Sequence, residues 1–322
     1  MTGPGPVLAL RALGLGDALT AVPALRGLRR AFPDRPLLLA AAGPPAELLR
    51  SAGVVDGVVP TPGLDAAPPG GGLGRHLAVN LHGCGPRSHR LLLAGDPVSL
   101  LAFDRPDLGV RGPAWDEVEH EVLRWCRLVR TLGPHACCGP EDLRLPSPRW
   151  PVGTRSGPVV VHPGATGTAR QWPAERFAAV ARALRRYRPV VTGSPEEARL
   201  CHRVADLAGL GPGADLGGRL DLPDLAALLA SARLLVCGDT GVAHLATALG
   251  TPSVLLFGPA PPSRWRPLVD VDRHRVVWHG SAQAALAGIS VEEVLTHSLT
   301  ALDDLTALDE REPPPVAGPV DE

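Results

Sequence analysis

Lysine is absent from this 322-residue chain, so all 32 basic side chains are arginine. Isoleucine occurs once (Ile289), asparagine once (Asn80), and aromatic residues make up only 3%. Glycine (37) and proline (36) are abundant in their place. That skew has the form of mutational bias in a GC-rich genome, so an arginine carries no functional weight merely by being an arginine. The net charge of −1 excludes the global basic field that nucleic acid or an acidic membrane surface calls for. The six cysteines form no CxxC pair and no His/Cys ligand spacing, and several sit inside apolar runs as small buried residues do. A reducing cytosol is expected. No charged segment leads into an apolar one at the N-terminus, and no apolar run reaches about 18 residues, so no transmembrane span is expected. A cytoplasmic protein follows, with at most peripheral contact at the inner face of the cytoplasmic membrane.

What is present is enough apolar sequence, 45%, to bury substantial cores. The length suits two domains of roughly 150 residues each. Two blocks alternate strand and helix signals. In the first, VLAL (7–10) and LLLAA (37–41) read as buried strands, HLAVNL (76–81) as a later one, and residues 17–31 and 119–132 as helices. In the second, VVVH (159–162), PVVTG (189–193), RLLVC (233–237) and SVLLFG (253–258) alternate with helices over 174–187, 196–208 and 240–249, and with one capped by Asp221 or Asp224. Strands separated by such helices imply parallel βαβ units. The Pro- and Gly-rich stretch 133–158 reads as the linker. The expected architecture is α/β: two Rossmann-like domains, 1–150 and 151–305, with parallel sheets facing a central cleft, and a disordered tail over 306–322.

Four segments carry chemistry. LGLGD (13–17), after the first strand, fails the dinucleotide pattern because Leu19 stands where a third glycine is needed. It leaves Asp17 at a helix start, either as an N-cap or as a general base facing the cleft. HPGATGTARQWP (162–173) joins a strand to a helix through small residues, with hydroxyls at Thr166 and Thr168 and the forked charge of Arg170, a set suited to a diphosphate. VTGSPEEARL places Glu196 and Glu197 in a first helical turn, where either serves the helix dipole or reaches a ribose hydroxyl. LLVCGDTGVAHLATALG (234–250) puts Asp239 or Thr240 at a helix cap. The amides of Thr240, Gly241 and Val242 are then open to an anion, and His244 lies one turn in on the same face. His244 is open to a core role as well.

The order of these motifs resembles glycosyltransferase family 9, the ADP-heptose:lipopolysaccharide heptosyltransferases and their relatives, which adopt the GT-B fold. Matching segments run from Arg11 to about Pro267. They include LGLGDALTAVPALRGLRRAFP, NLHGCGPRSHRLLL, HEVLRWCRLVRTLG, HPGATGTARQWP and SRWRP, and the most specific is LGGRLDLPDLAALLASARLLVCGDTGVAHLATALGTPSVLLFGP. The resemblance implies that the C-terminal domain holds a nucleotide-diphospho-sugar donor and the N-terminal domain the acceptor. Asp17 matches the family's catalytic base. Thr166, Thr240 and Gly241 match phosphate contacts, Glu197 (before Glu196) a position near the donor ribose, and Asp239 and His244 the D-T-G-x-x-H signature. Arg170 falls where the family usually has a lysine, and a shifted alignment puts Gln171 there.

The function implied is inverting transfer of a sugar, heptose by resemblance, from ADP-heptose to a hydroxyl of a glycan or glycolipid. No cofactor and no metal are expected, since fixed positive charge can do a cation's work and no DxD pair has suitable context. Beyond Arg87 and Arg90, basic residues are scarce around the first cleft, so nothing points to a phosphorylated lipid acceptor. The alternatives are a GT-B-like sugar-nucleotide epimerase, which needs acid/base groups beyond Asp17, and a non-catalytic nucleotide-sugar-binding protein.

Overall fold

The computed structural model of the chain describes residues 5–145, 156–167, 170–280 and 285–309. Short apolar runs form the strands. β1 (Val7–Leu10), β2 (Leu37–Ala41), β3 (Gly57–Pro60), β4 (Leu77–Asn80) and β5 (Ser99–Leu101) make one parallel sheet in the order β3-β2-β1-β4-β5. Val7 pairs with Leu37 on one side and Leu77 on the other. Helices α1 (Leu15–Thr20), α2 (Val22–Ala31), α3 (Gly43–Ser51), α4 (Pro86–Leu93) and α5 (Glu121–Arg130) belong to this unit. The second sheet holds β6 (Val159–His162), β7 (Val190–Gly193), β8 (Asp215–Gly217), β9 (Leu234–Gly238), β10 (Ser253–Phe257) and β11 (His274–Trp278) in the order β11-β10-β9-β6-β7-β8, again all parallel. Its helices are α6 (Ala174–Ala183), α7 (Ala198–Ala208), α8 (Leu222–Ser231), α9 (Gly241–Ala248), α10 (Pro262–Trp265), α11 (Ala285–Gly288) and α12 (Val291–Asp309). β1, β6, β9 and β10 are buried along their whole length, which is why they read as unbroken apolar runs rather than alternating ones.

Several expectations are corrected. The helix expected over 17–31 is two: α1 ends at Thr20, and Pro23, which has no N–H to give and clashes with a preceding turn, sits in the first turn of α2. Asp17 is not a cap, because α1 starts two residues earlier with Gly14 at its N-cap. Asp221, not Asp224, caps α8, accepting the amide of Asp224 at 2.8 Å. α12 continues to Asp309, past the expected end of ordered structure at 305, and residues 310–322 lie outside the described residues. The boundary drawn at 150/151 also falls outside them.

In each sheet the chain builds outward on one side of a central strand and then returns to the other. The order therefore reverses between β1 and β4, and between β6 and β9. Loops leaving the carboxyl ends of strands at such a switch point diverge and leave a crevice for a ligand. The segments after β1, β6 and β9 are those that carry Asp17, Arg170 and Asp239.

Candidate active site

The two units touch where α1 meets α9. A methyl group on Gly241 would stand 2.9 Å from Leu15 Cβ and 3.0 Å from the Gly16 amide nitrogen, and one on Gly16 would stand 2.9 Å from the His244 ring. Glycine at both positions lets the helix starts meet backbone to backbone. His120, at the N-cap of α5, reinforces the junction: its Nδ1 accepts the Val122 amide, so Nε2 carries the proton and donates to the Arg266 carbonyl at 2.8 Å. Around this floor opens a cavity of about 1200 Å³.

Asp17, Thr166, Arg170, Glu197, Asp239, Thr240, Gly241 and His244 all line that cavity. Asp17 stands on the N-terminal wall. Burial pushes its carboxyl above the usual range, Arg11 draws it back down, and Glu121 adds to the rise. Opposite lie the loops after β6 and β9. Thr166 and Arg170 are exposed there. Gln171 instead ties its side-chain amide to the Ala165 carbonyl at 3.1 Å and is not among the cavity-lining residues. Thr168 lies outside the described residues.

At the start of α9, Thr240 is the cap, its hydroxyl accepting the Val242 amide at 3.2 Å. Asp239 is therefore not the cap, and one of the three amides expected to be open is taken. The amides of Thr240 and Gly241 remain at the cavity wall. Burial raises the Asp239 carboxyl above its ordinary range, with Arg170 opposing. His244 sits edge-on against Trp265, ring centroids 5.8 Å apart, and burial pushes its imidazole down to about 4. It is therefore a neutral ring at ordinary pH.

Glu197 closes a 3-10 turn ahead of α7. Its Oε2 accepts the Ser194 amide at 2.9 Å and lies 4.0 Å from His162 Nε2, while His162 Nδ1 meets the Thr192 hydroxyl at 3.0 Å. Gly164 makes room for it, since a methyl group there would overlap the carboxylate. Glu196, next in sequence, is not among the cavity-lining residues.

Sequence reasoning missed part of the wall. Glu47 and Ser51 of α3 line the cavity, as do Arg219 and Leu220 in the turn after β8 and Trp265 of α10. The paired glycines 217 and 218 at the end of a short strand were the available signal for that turn. Arg11 and Glu121, which back Asp17, were also missed. Among the described residues no three His, Cys, Asp or Glu side chains come together as a metal ion would need.

Two parallel α/β units enclosing a cleft at their switch points define the GT-B class, and solved structures of this architecture match nearly the whole chain. An E. coli ADP-heptose lipopolysaccharide heptosyltransferase II superposes with a TM-score of 0.74 at 20% identity, over 95% of this chain and all (100%) of that one. An E. coli heptosyltransferase solved with ADP gives 0.69 at 19% identity, over 92% and 99%. Residues 149–292 match the family model of glycosyltransferase family 9 (heptosyltransferase), so that segment, a little under half of the chain, is similar to this family. Lipopolysaccharide heptosyltransferase 3 of E. coli is 34% identical over 113 residues, 34% of this chain and 33% of that protein. The alignment thus spans about a third of the length of the curated relative.

Proposed function

We propose that the chain is an inverting glycosyltransferase that moves a sugar, heptose in our reading, from ADP-heptose to a hydroxyl of a glycan or glycolipid acceptor. The observation that carries this is one cavity with Asp17 on its N-terminal wall and Arg170, Thr240, Gly241 and Glu197 on the facing loops. The similarity to lipopolysaccharide heptosyltransferases, and to one such enzyme that binds ADP, supports the choice of donor.

In this mechanism the Asp17 carboxylate takes the proton of the acceptor hydroxyl as that oxygen bonds to the anomeric carbon. The bond from that carbon to the diphosphate oxygen breaks on the opposite face, configuration inverts, and ADP departs with the electron pair. The Arg170 guanidinium, the Thr166 hydroxyl and the amides at the start of α9 face the charge that grows on the diphosphate. Glu197, whose oxygens are acceptors only, suits the ribose hydroxyls. Asp239, released from capping, is free to accept from hydroxyls of the sugar. No step needs a metal. The acceptor binds from the N-terminal side, with at most peripheral contact to a membrane; among the described residues no helix is long and apolar enough to cross one.

The test is turnover of ADP-heptose by Asp17→Asn. ADP release to acceptor should fall about 10²- to 10⁴-fold, the usual worth of a general base, with ADP affinity nearly unchanged. Undiminished turnover removes Asp17 from the chemistry. Binding of a UDP- or GDP-sugar in place of ADP-heptose refutes the donor.

A further inference from the structure

Behind Asp17 lies a buried set of charges that the transfer does not touch. Arg11, just past β1, is 1% exposed and makes five bonds. Its Nε donates to the Asp17 carbonyl at 2.9 Å and one terminal nitrogen to the Leu81 carbonyl at 2.6 Å. The other terminal nitrogen is shared by three acceptors: Asp17 Oδ1 at 3.1 Å, Glu121 Oε1 at 3.0 Å and the Thr20 hydroxyl at 3.2 Å. The guanidinium also stacks on Trp125, 4.7 Å from the ring centroid. Glu121, in the first turn of α5, accepts Trp125 Nε1 at 3.0 Å and pairs with Arg124. Arg124 is anchored in turn by the carbonyls of Asp116 and Glu119 at 2.8 and 2.9 Å.

Arginine does not deprotonate in a protein, so Arg11 is a fixed charge that must be matched where it is buried. Asp17 and Glu121 both match it through one nitrogen. We propose that Arg11 and Glu121 are positioning residues for Asp17: Arg11 pins Oδ1, leaving Oδ2 to take the proton, and Glu121 draws on the same guanidinium nitrogen and so keeps Asp17 basic. The role rests on Asp17 acting as the base. Arg170 across the cleft also faces Asp17 and favours its ionised form, while the histidines that face its two partners are His244 on α9 and His82 after β4, both pushed down to about 4 by burial and hence uncharged near neutrality, and His120 beside Glu121.

Carbon-13 NMR of the aspartate carboxyls in the full chain, with Asp17→Asn to assign the signal, reads the Asp17 midpoint without any ligand. In Glu121→Gln the midpoint should fall by about one pH unit, because Arg11 then answers to one carboxylate alone. In Arg11→Lys, whose single ammonium cannot span both carboxylates, it should rise. The acid limb of ADP-heptose turnover should move with the midpoint in Glu121→Gln. Circular dichroism and melting establish that each variant is folded; if Glu121→Gln is not, a rise in Arg11→Lys supports the network and an unmoved midpoint overturns it. An Asp17 midpoint unchanged in folded Glu121→Gln, or shifted the same way by both variants, overturns the inference. Undiminished turnover by Asp17→Asn would instead overturn the base role while the titration still judges the network.

Discussion

Glu197 shows how a single carboxylate is fixed without a charged partner on its own helix. The Ser194 amide holds one oxygen, His162 stands 4.0 Å away, and the missing side chain of Gly164 leaves the space the carboxylate occupies. Burial keeps His162 below its ordinary range, so it contributes a neutral ring rather than a counter-ion. Gly164→Ala should therefore displace the carboxylate and weaken ADP binding about tenfold, the loss of one charge-assisted hydrogen bond. Calorimetric titration with ADP checks this, and an unchanged affinity would detach Glu197 from the nucleotide. At this scale sequence separated functional from capping residues poorly. Asp17, Asp239 and Thr240 all suit a helix start, and only backbone geometry shows that Gly14 and Thr240 are the caps. Arg11 was hidden for another reason. In a chain whose every cation is arginine, nothing in the letters distinguishes a guanidinium that is buried from one that is solvated.

Among elements, the contact of α1 with α9 matters most, because it joins the two sheets into one apolar core reaching from Val7 through Leu19 and Leu245 to Leu255. Overpacking a close contact typically costs 1–3 kcal/mol. Gly241→Ala should fall in that range, since both its nearest neighbours, Leu15 Cβ and the Gly16 amide, belong to the opposite helix and its first turn and cannot swing aside. Urea denaturation measures the loss; a variant as stable as the parent would mean the helices part freely. The interior strands were legible from sequence because burial on both faces makes them unbroken apolar runs. The edges were not. β3, β5 and β8 are three or four residues long and half-exposed, so they carry neither a run nor an alternation long enough to register. α12 went unseen because its apolar stripe is diluted by Asp and Thr, in a stretch that leads into a Pro-rich end.

For the whole molecule, the junction concentrates histidines held neutral. Burial takes His244 and His82 to about 4 and lowers His120 as well. At His244 and His82 the unfolded chain binds protons near 6.5 and the folded chain does not until near 4, so their stability is full above the first value and is lost as pH falls towards the second, and His120 acts in the same sense. Asp17 and Asp239, raised by burial, act in the opposite sense: the folded chain protonates them before the unfolded chain does, so stability is regained as pH falls through their raised values. The melting temperature should thus fall from pH 7 to pH 5, and His244→Gln should flatten the fall. A melting temperature constant over that window would show that these rings carry no linkage. Alternating βαβ order made the two-sheet architecture readable in the sequence, but not the seam between the sheets, since no periodicity reports that two glycines 225 positions apart are in contact.

That seam has a mechanical consequence. Gly16 precedes Asp17 and Gly241 follows Thr240, so Asp17, the base of the proposed mechanism, and the start of α9 lie beside the point where the two halves are joined. In a pair of jaws, displacement grows with distance from the pivot. Were the halves to open about this point, groups at the rim would move most and Asp17 and the start of α9 least.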